Sequence, residues 1–158
     1  SAITRAALNT ACNTLRLQLT GASAGRLMGA YLMLKAFPDV AETLIRFNDC
    51  KLAILSNGSP AMLNSVVRHN GLDRLFDAVL SVDAVQKFKP APETYQVAVD
   101  QLGLPKTAIG FVSSNCWDAL GAKSFGFSVY WINRAGAPVD RLGFAPDKMG
   151  TSLNEVLP

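Results

Sequence analysis

Residues 108–132 read AIGFVSSNCWDALGAKSFGFSVYWI. An uncharged run over 108–113 stops at the small polar residues Ser113, Ser114 and Asn115. Residues 117–125 then follow a helical pattern closed by Gly126, and 127–132 is apolar again. Strand, polar rim, helix, strand is the unit of a parallel sheet, whose strands are buried on both faces and so read as short continuous apolar runs.

The same alternation extends upstream. Residues 52–56 form an apolar strand that ends abruptly at Ser56-Asn57-Gly58-Ser59-Pro60. Pro60 opens a helix carrying Met62, Leu63, Val66 and Val67, and Asn70-Gly71 closes it. A short strand is expected over 78–81, and a helix over 92–102 closed by Gly103. Before residue 51 the spacing is helical only. One helix is expected over 3–19, broken by Gly21, a second over about 23–35, and a third through about Phe47 capped by Asp39. The fold class is therefore α/β, a mostly parallel sheet with helices on both faces preceded by a helical part.

Composition narrows the function. The 158 residues are 49% hydrophobic with a net charge of +3, enough for one domain with a core. Lys and Arg are scattered, which argues against a nucleic-acid partner. No apolar stretch reaches the roughly 18 residues of a membrane span, and no signal peptide is legible. Cys12, Cys50 and Cys116 form no CxxC pair. That suits free thiols in a reducing, cytoplasmic setting and offers no zinc site.

In open parallel sheets ligands sit at the carboxyl ends of strands. The candidate rim is thus 56–58, 87–90, 113–118 and 133–134. Ser56 and Asn57 offer a hydroxyl and an amide beside a helix N-terminus, a cradle for an anion, although either this pair or Ser59 could simply cap the helix. Lys89 could neutralise a substrate anion or hold a carboxylate ionised. Asp118 lies in the first turn of its helix, where the dipole alone would favour it. Trp117 could wall an apolar pocket or pack in the core. His69, at a helix end beside Asn70-Gly71, reads as a surface residue.

The set SNG at 56–58, SVDAVQKFKP at 81–90 with Tyr95, FVSSNCWDALGAKSFGF at 111–127 and WINR at 131–134 resembles the haloacid dehalogenase superfamily, and within it the type II L-2-haloacid dehalogenases. The resemblance implies a Rossmannoid sheet with a helical cap. It divides the chain into a partial cap over 1–35 and an α/β core over 36–158. It implies hydrolysis of small L-2-haloalkanoic acids to D-2-hydroxy acids, by an Asp that attacks C2 and leaves an ester for water to cleave. By position, Ser56 would bind the substrate carboxylate and Asn57 the departing halide. Lys89 would keep the nucleophile charged, with Tyr95 and Ser113 in its network. Asn115 and Trp117 would shape the pocket, and Asp118 would orient Lys89 or the water. No cofactor or metal is implied. Phosphatases of the superfamily bind magnesium through an Asp that here falls on Ser114, which removes a hard oxygen ligand. A homodimer is implied for the full-length enzyme.

The family's nucleophile motif, Asp-x-Tyr-Gly-Thr at the end of a central first strand, has no counterpart in these residues, nor has its halide-binding Arg. The expectation is an N-terminally cut chain, inactive alone, whose strands 52–56 and 108–113 either re-pair or leave an open edge and a core gap. The competing expectations are a non-catalytic binding or dimerisation module of the same fold, and a superfamily phosphatase.

Overall fold

A computed structural model describes residues 2–156. Six α-helices and five strands occur in the order α1 (Ala2–Thr14), α2 (Gly21–Ala30), α3 (Val40–Ile45), β1 (Ala53–Ser56), α4 (Pro60–His69), β2 (Ala78–Ser81), α5 (Pro92–Leu102), β3 (Gly110–Ser113), α6 (Cys116–Phe125), β4 (Ser128–Ile132) and β5 (Lys148–Gly150). All pairings are parallel.

The strands form two sheets. β1 pairs with β2, Ile54 opposite Val79 and Ser56 opposite Ser81. β3, β4 and β5 form the other, with Phe111 opposite Val129 and Trp131 opposite Met149. Among the described residues no backbone hydrogen bond joins β1 to β3. Of the two expected outcomes, re-pairing or an open edge, the structure shows the open edge. One helical layer nevertheless holds the sheets side by side: α5 packs on β1 and β2, α6 packs on β3 and β4, and α5 packs on α6.

The core lies between α5, α6 and the three-stranded sheet. Tyr95, Phe111, Phe127, Leu120, Val129 and Trp131 form it, with Leu55 and Leu80 packed against it from the two-stranded sheet. Tyr95 meets Phe111 and Phe127 edge to face, at centroid distances of 5.7 and 6.1 Å. Each fully buried aromatic here contributes about 1.5–3 kcal/mol relative to exposure. β1, expected as a buried strand, is half-buried along its whole length, because its free edge has no neighbour.

The helical part departs most from the sequence reading. α1 ends at Thr14, short of Gly21. The turn is made by Arg16 with φ 54°, while the Leu17 amide donates to the Cys12 carbonyl at 2.8 Å. Gly21 starts α2 instead, because Thr20 and Ser23 form a reciprocal capping box. Asp39 does not cap α3 with its side chain. Its carboxylate accepts from Arg134 and from the Ser152 hydroxyl and Leu153 amide. β5 had no legible signal, being three residues with a single apolar side chain.

Candidate active site

The carboxyl ends of β1 and β3 face each other across the open edge, and Lys89 bridges them. Its ammonium donates to the Leu55 carbonyl at 3.0 Å and to Asp118 Oδ2 at 2.8 Å. Both side chains of the ion pair are nearly buried, 9% and 4% exposed. Asp118 enters from the first turn of α6. Its Oδ2 also accepts from the Ser113 hydroxyl at 3.0 Å, and its Oδ1 from the Tyr95 hydroxyl at 2.9 Å. Burial, reinforced by the charge and hydrogen bond of Asp118, pushes the Tyr95 phenol well above its ordinary value. Tyr95 therefore stays protonated and acts only as a donor here. The Lys89 ammonium also lies 5.3 Å from the centroid of the Phe111 ring.

Four residues singled out in the sequence, Lys89, Tyr95, Ser113 and Asp118, thus form one hydrogen-bonded unit. Asn57 joins it from β1's side: its Oδ1 accepts from the Lys89 amide at 2.9 Å. With its oxygen committed, the Asn57 side chain offers the rim its NH2, a pure donor. Ser56 Oγ accepts from the Gly58 amide at 3.0 Å, which leaves its proton for another acceptor. Ser59 sits at the start of α4 and makes no side-chain cap bond. The capping alternative for the 56–59 stretch is therefore not what these side chains do.

Two candidates stand apart from the unit. The Asn115 side chain is exposed, and the residue takes part through its backbone: its amide donates to Ser113 Oγ and its carbonyl accepts from Ala119. Trp117 is 39% exposed. It lines a groove with Pro90, Leu120, Leu142 and Phe144, a set that includes neither Ser56 nor Asn57.

Ser81 opens the 81–90 stretch but was given no role in the sequence reading. Its hydroxyl donates to the Gly58 carbonyl at 2.7 Å and accepts from the Asp83 amide at 3.2 Å, so the end of β2 braces the 56–58 loop. The signal was its position at a strand end, in register with Ser56. Gly121 was also missed. A Cβ there would stand 2.6 Å from Pro90 Cβ and 2.7 Å from the Tyr95 hydroxyl, so the absence of a side chain lets α6 approach the Lys89 loop.

Comparison with known proteins places the chain in a family. The family model of haloacid dehalogenase-like hydrolases matches residues 4–126. The chain belongs to the haloacid dehalogenase-like hydrolases. An (S)-2-haloacid dehalogenase of Pseudomonas sp. (strain YL) is 46% identical over 98% of this chain and 67% of its own length. A crystal structure of an L-2-haloacid dehalogenase superposes with TM-score 0.93 at 44% identity, covering 96% of this chain and 68% of that one. The L-2-haloacid dehalogenase of Xanthobacter autotrophicus, solved with chloropropionic acid covalently bound, gives TM-score 0.88 at 36% identity over 97% of this chain and 72% of that one. Within the hydrolase family the resemblance is thus to the 2-haloacid dehalogenases, and the chain spans about two thirds of the length of these relatives.

Proposed function

We infer that these residues form the core of an (S)-2-haloacid dehalogenase, which converts small L-2-haloalkanoic acids to D-2-hydroxy acids through an aspartyl ester. The observation that carries this is the buried Lys89–Asp118 pair, held by Tyr95 and Ser113 beside the donors of Ser56 and Asn57. Ser56 binds the substrate carboxylate through its free hydroxyl proton. Asn57, through its NH2, meets the halide as it leaves. Such donors, fixed before the reaction, stabilise charge as it develops. Lys89 keeps the nucleophilic carboxylate ionised, and Asp118, with both oxygens taken, orients Lys89 rather than the hydrolytic water. Asn115 and Trp117 border the pocket.

The nucleophile comes from an Asp-x-Tyr-Gly-Thr segment outside these 158 residues. Its strand lies between β1 and β3, and the 1–35 helices are part of the cap. The reaction balances without a cofactor: carboxylate oxygen displaces halide at C2, and water cleaves the resulting ester at its carbonyl, restoring the Asp. A cytoplasmic homodimer fits the three free thiols and the exposed Leu27, Tyr31 and Leu32 of the helical part.

The test is halide release from L-2-chloropropionate. The 158-residue chain alone is expected to release none. The chain joined in frame to an Asp-x-Tyr-Gly-Thr segment is expected to be active and to lose at least about a hundredfold in kcat with Lys89→Met. Release by the unjoined chain that Ser56→Ala abolishes would overturn the placement of the nucleophile. A folded but inactive joined chain would favour a binding module.

A further inference from the structure

We propose that Ser81 is a positioning residue for the reaction: through Gly58 it aims the Ser56 hydroxyl at the carboxylate of the substrate. Ser56 and Ser81 stand in register at the carboxyl ends of β1 and β2. Gly58 links them, because side-chain hydroxyls take both of its backbone groups. Its amide donates to Ser56 Oγ at 3.0 Å, and its carbonyl accepts from the Ser81 hydroxyl at 2.7 Å. Glycine has the widest choice of backbone conformations, so a glycine beside a binding group needs an outside anchor to hold its place. Ser81 supplies that anchor from the neighbouring strand. A Cβ on Gly58 would stand 3.0 Å from Leu63 Cδ2, so a stiffer residue fits there only if Leu63 gives way.

The same hydroxyl reaches the other half of the rim. Its oxygen accepts from the Asp83 amide at 3.2 Å, at the start of the turn that leads toward Lys89. Gln86 closes that turn with φ 51°, and its side chain donates to the Asp83 carbonyl at 2.8 Å. One hydroxyl thus ties the loop that carries Ser56 to the loop that carries Lys89. Asn57 is held differently, by the Lys89 amide. The two ends of the substrate therefore depend on different anchors. Ser81 governs the carboxylate end through Ser56, and Lys89 governs the halide end through Asn57. The carboxylate carries its charge before and during the reaction. Loss of its anchor weakens ground state and transition state alike, which raises KM and spares kcat. The identity of the bound group rests on the dehalogenase reading; the hold of Ser81 on Ser56 rests on the hydrogen bonds alone.

The experiment is a double-mutant cycle in the chain joined to its Asp-x-Tyr-Gly-Thr segment. The substrate is L-2-chloropropionate, and the competitive inhibitor is propionate, which has the carboxylate and no halogen. Ser81→Ala is expected to raise KM and the propionate Ki together about tenfold, the order of one hydrogen bond lost, and to keep kcat within about twofold. In the Ser56→Ala background the same change is expected to move neither constant by more than about twofold. An unchanged KM, a fall in kcat larger than the rise in KM, or a loss that multiplies in full on top of Ser56→Ala would each overturn the proposal. Ser81 would then not act through Ser56. A second reading needs no activity and uses the 158-residue chain. The Gly58 amide bonds to Ser56 and not to Ser81. Its hydrogen exchange is expected to quicken about tenfold in Ser81→Ala, with the amides of 110–113 unchanged. Unchanged exchange at Gly58 would overturn the hold on Ser56. Faster exchange at Gly58, with no halide release from the joined chain, would leave that hold standing and defeat the dehalogenase reading.

Discussion

At the scale of single residues the site is a set of exclusive commitments. Asp118 has no free oxygen, since Lys89, Ser113 and Tyr95 occupy both. Removing the ammonium alone leaves a buried carboxylate without its counter-charge. Lys89→Met is therefore expected to cost about 3–5 kcal/mol, read as a shift in the urea midpoint. Lys89→Met combined with Asp118→Asn is expected to recover at least half of that loss. Equal loss in single and double variants would show that the pair does not act as one unit. Gly121→Ala brings a methyl against Pro90 and the Tyr95 hydroxyl, and relief of the clash pushes Tyr95 off Asp118. A destabilisation of about 1–3 kcal/mol is expected. A neutral Gly121→Ala would mean that α6 can retreat freely. The polar members of this set were legible because each closes a strand or opens a helix at one rim. Their division of labour was not. That Asn57 spends its oxygen on the Lys89 amide, and that Ser81 braces Gly58, depends on contacts between residues 32 and 23 positions apart. Spacing along one strand or helix carries no trace of them.

At the scale of elements, the strands and helices after residue 51 were legible wherever chemistry marked both ends. Pro at a first turn and Gly at the close bracket α5, where Gly103 adopts φ 64°. The helical part misled because its apolar spacing continues through Leu15 and Leu19, whereas the backbone turns at Arg16. Asp39 misled for a tertiary reason. Arg134 holds its carboxylate at 2.8 and 3.0 Å and stacks on Phe37 at 4.1 Å. The Ser152 hydroxyl and Leu153 amide tie the same group to the segment after β5. Thr43 reinforces the join by donating to Asn154 Oδ1 at 2.6 Å. Burial opposes the charge of Asp39, but Arg134, the Leu153 amide and Ser152 outweigh it and lower its pKa from 3.8 to about 2. A depressed carboxylate adds stability that is fully present above the ordinary value and is lost as pH falls through the folded one. The wild-type chain is thus expected to lose stability between pH 3.8 and about 2, and Asp39→Asn to show a smaller loss over that window. Parallel pH profiles of thermal midpoint for the two proteins would refute the clamp.

Across the whole molecule, stability should divide as the sheets do. β3 and β4 lie against the aromatic cluster, with Trp131, Phe127 and Tyr95 almost fully buried. β1 and β2 are half-buried at every position and contribute only Leu55 and Leu80 to that cluster. Opening the two-stranded sheet exposes little of the core, whereas opening the three-stranded sheet exposes most of it. Local unfolding free energy follows the apolar area that each opening uncovers. Native-state hydrogen exchange is therefore expected to place the amides of 53–56 and 78–81 in a lower-energy unit, about 1–2 kcal/mol below those of 111–113 and 129–132. Lys89 belongs to both units, since it reaches the Leu55 carbonyl from a rim otherwise held by Asp118. The first opening must therefore break one of its two bonds while sparing the ion pair. Lys89→Met should then lower both exchange units, the upper one through the unpaired Asp118. A single exchange energy shared by all four strands would mean that the α5–α6 layer couples the sheets as tightly as a continuous ladder would, and that the open edge has no energetic consequence.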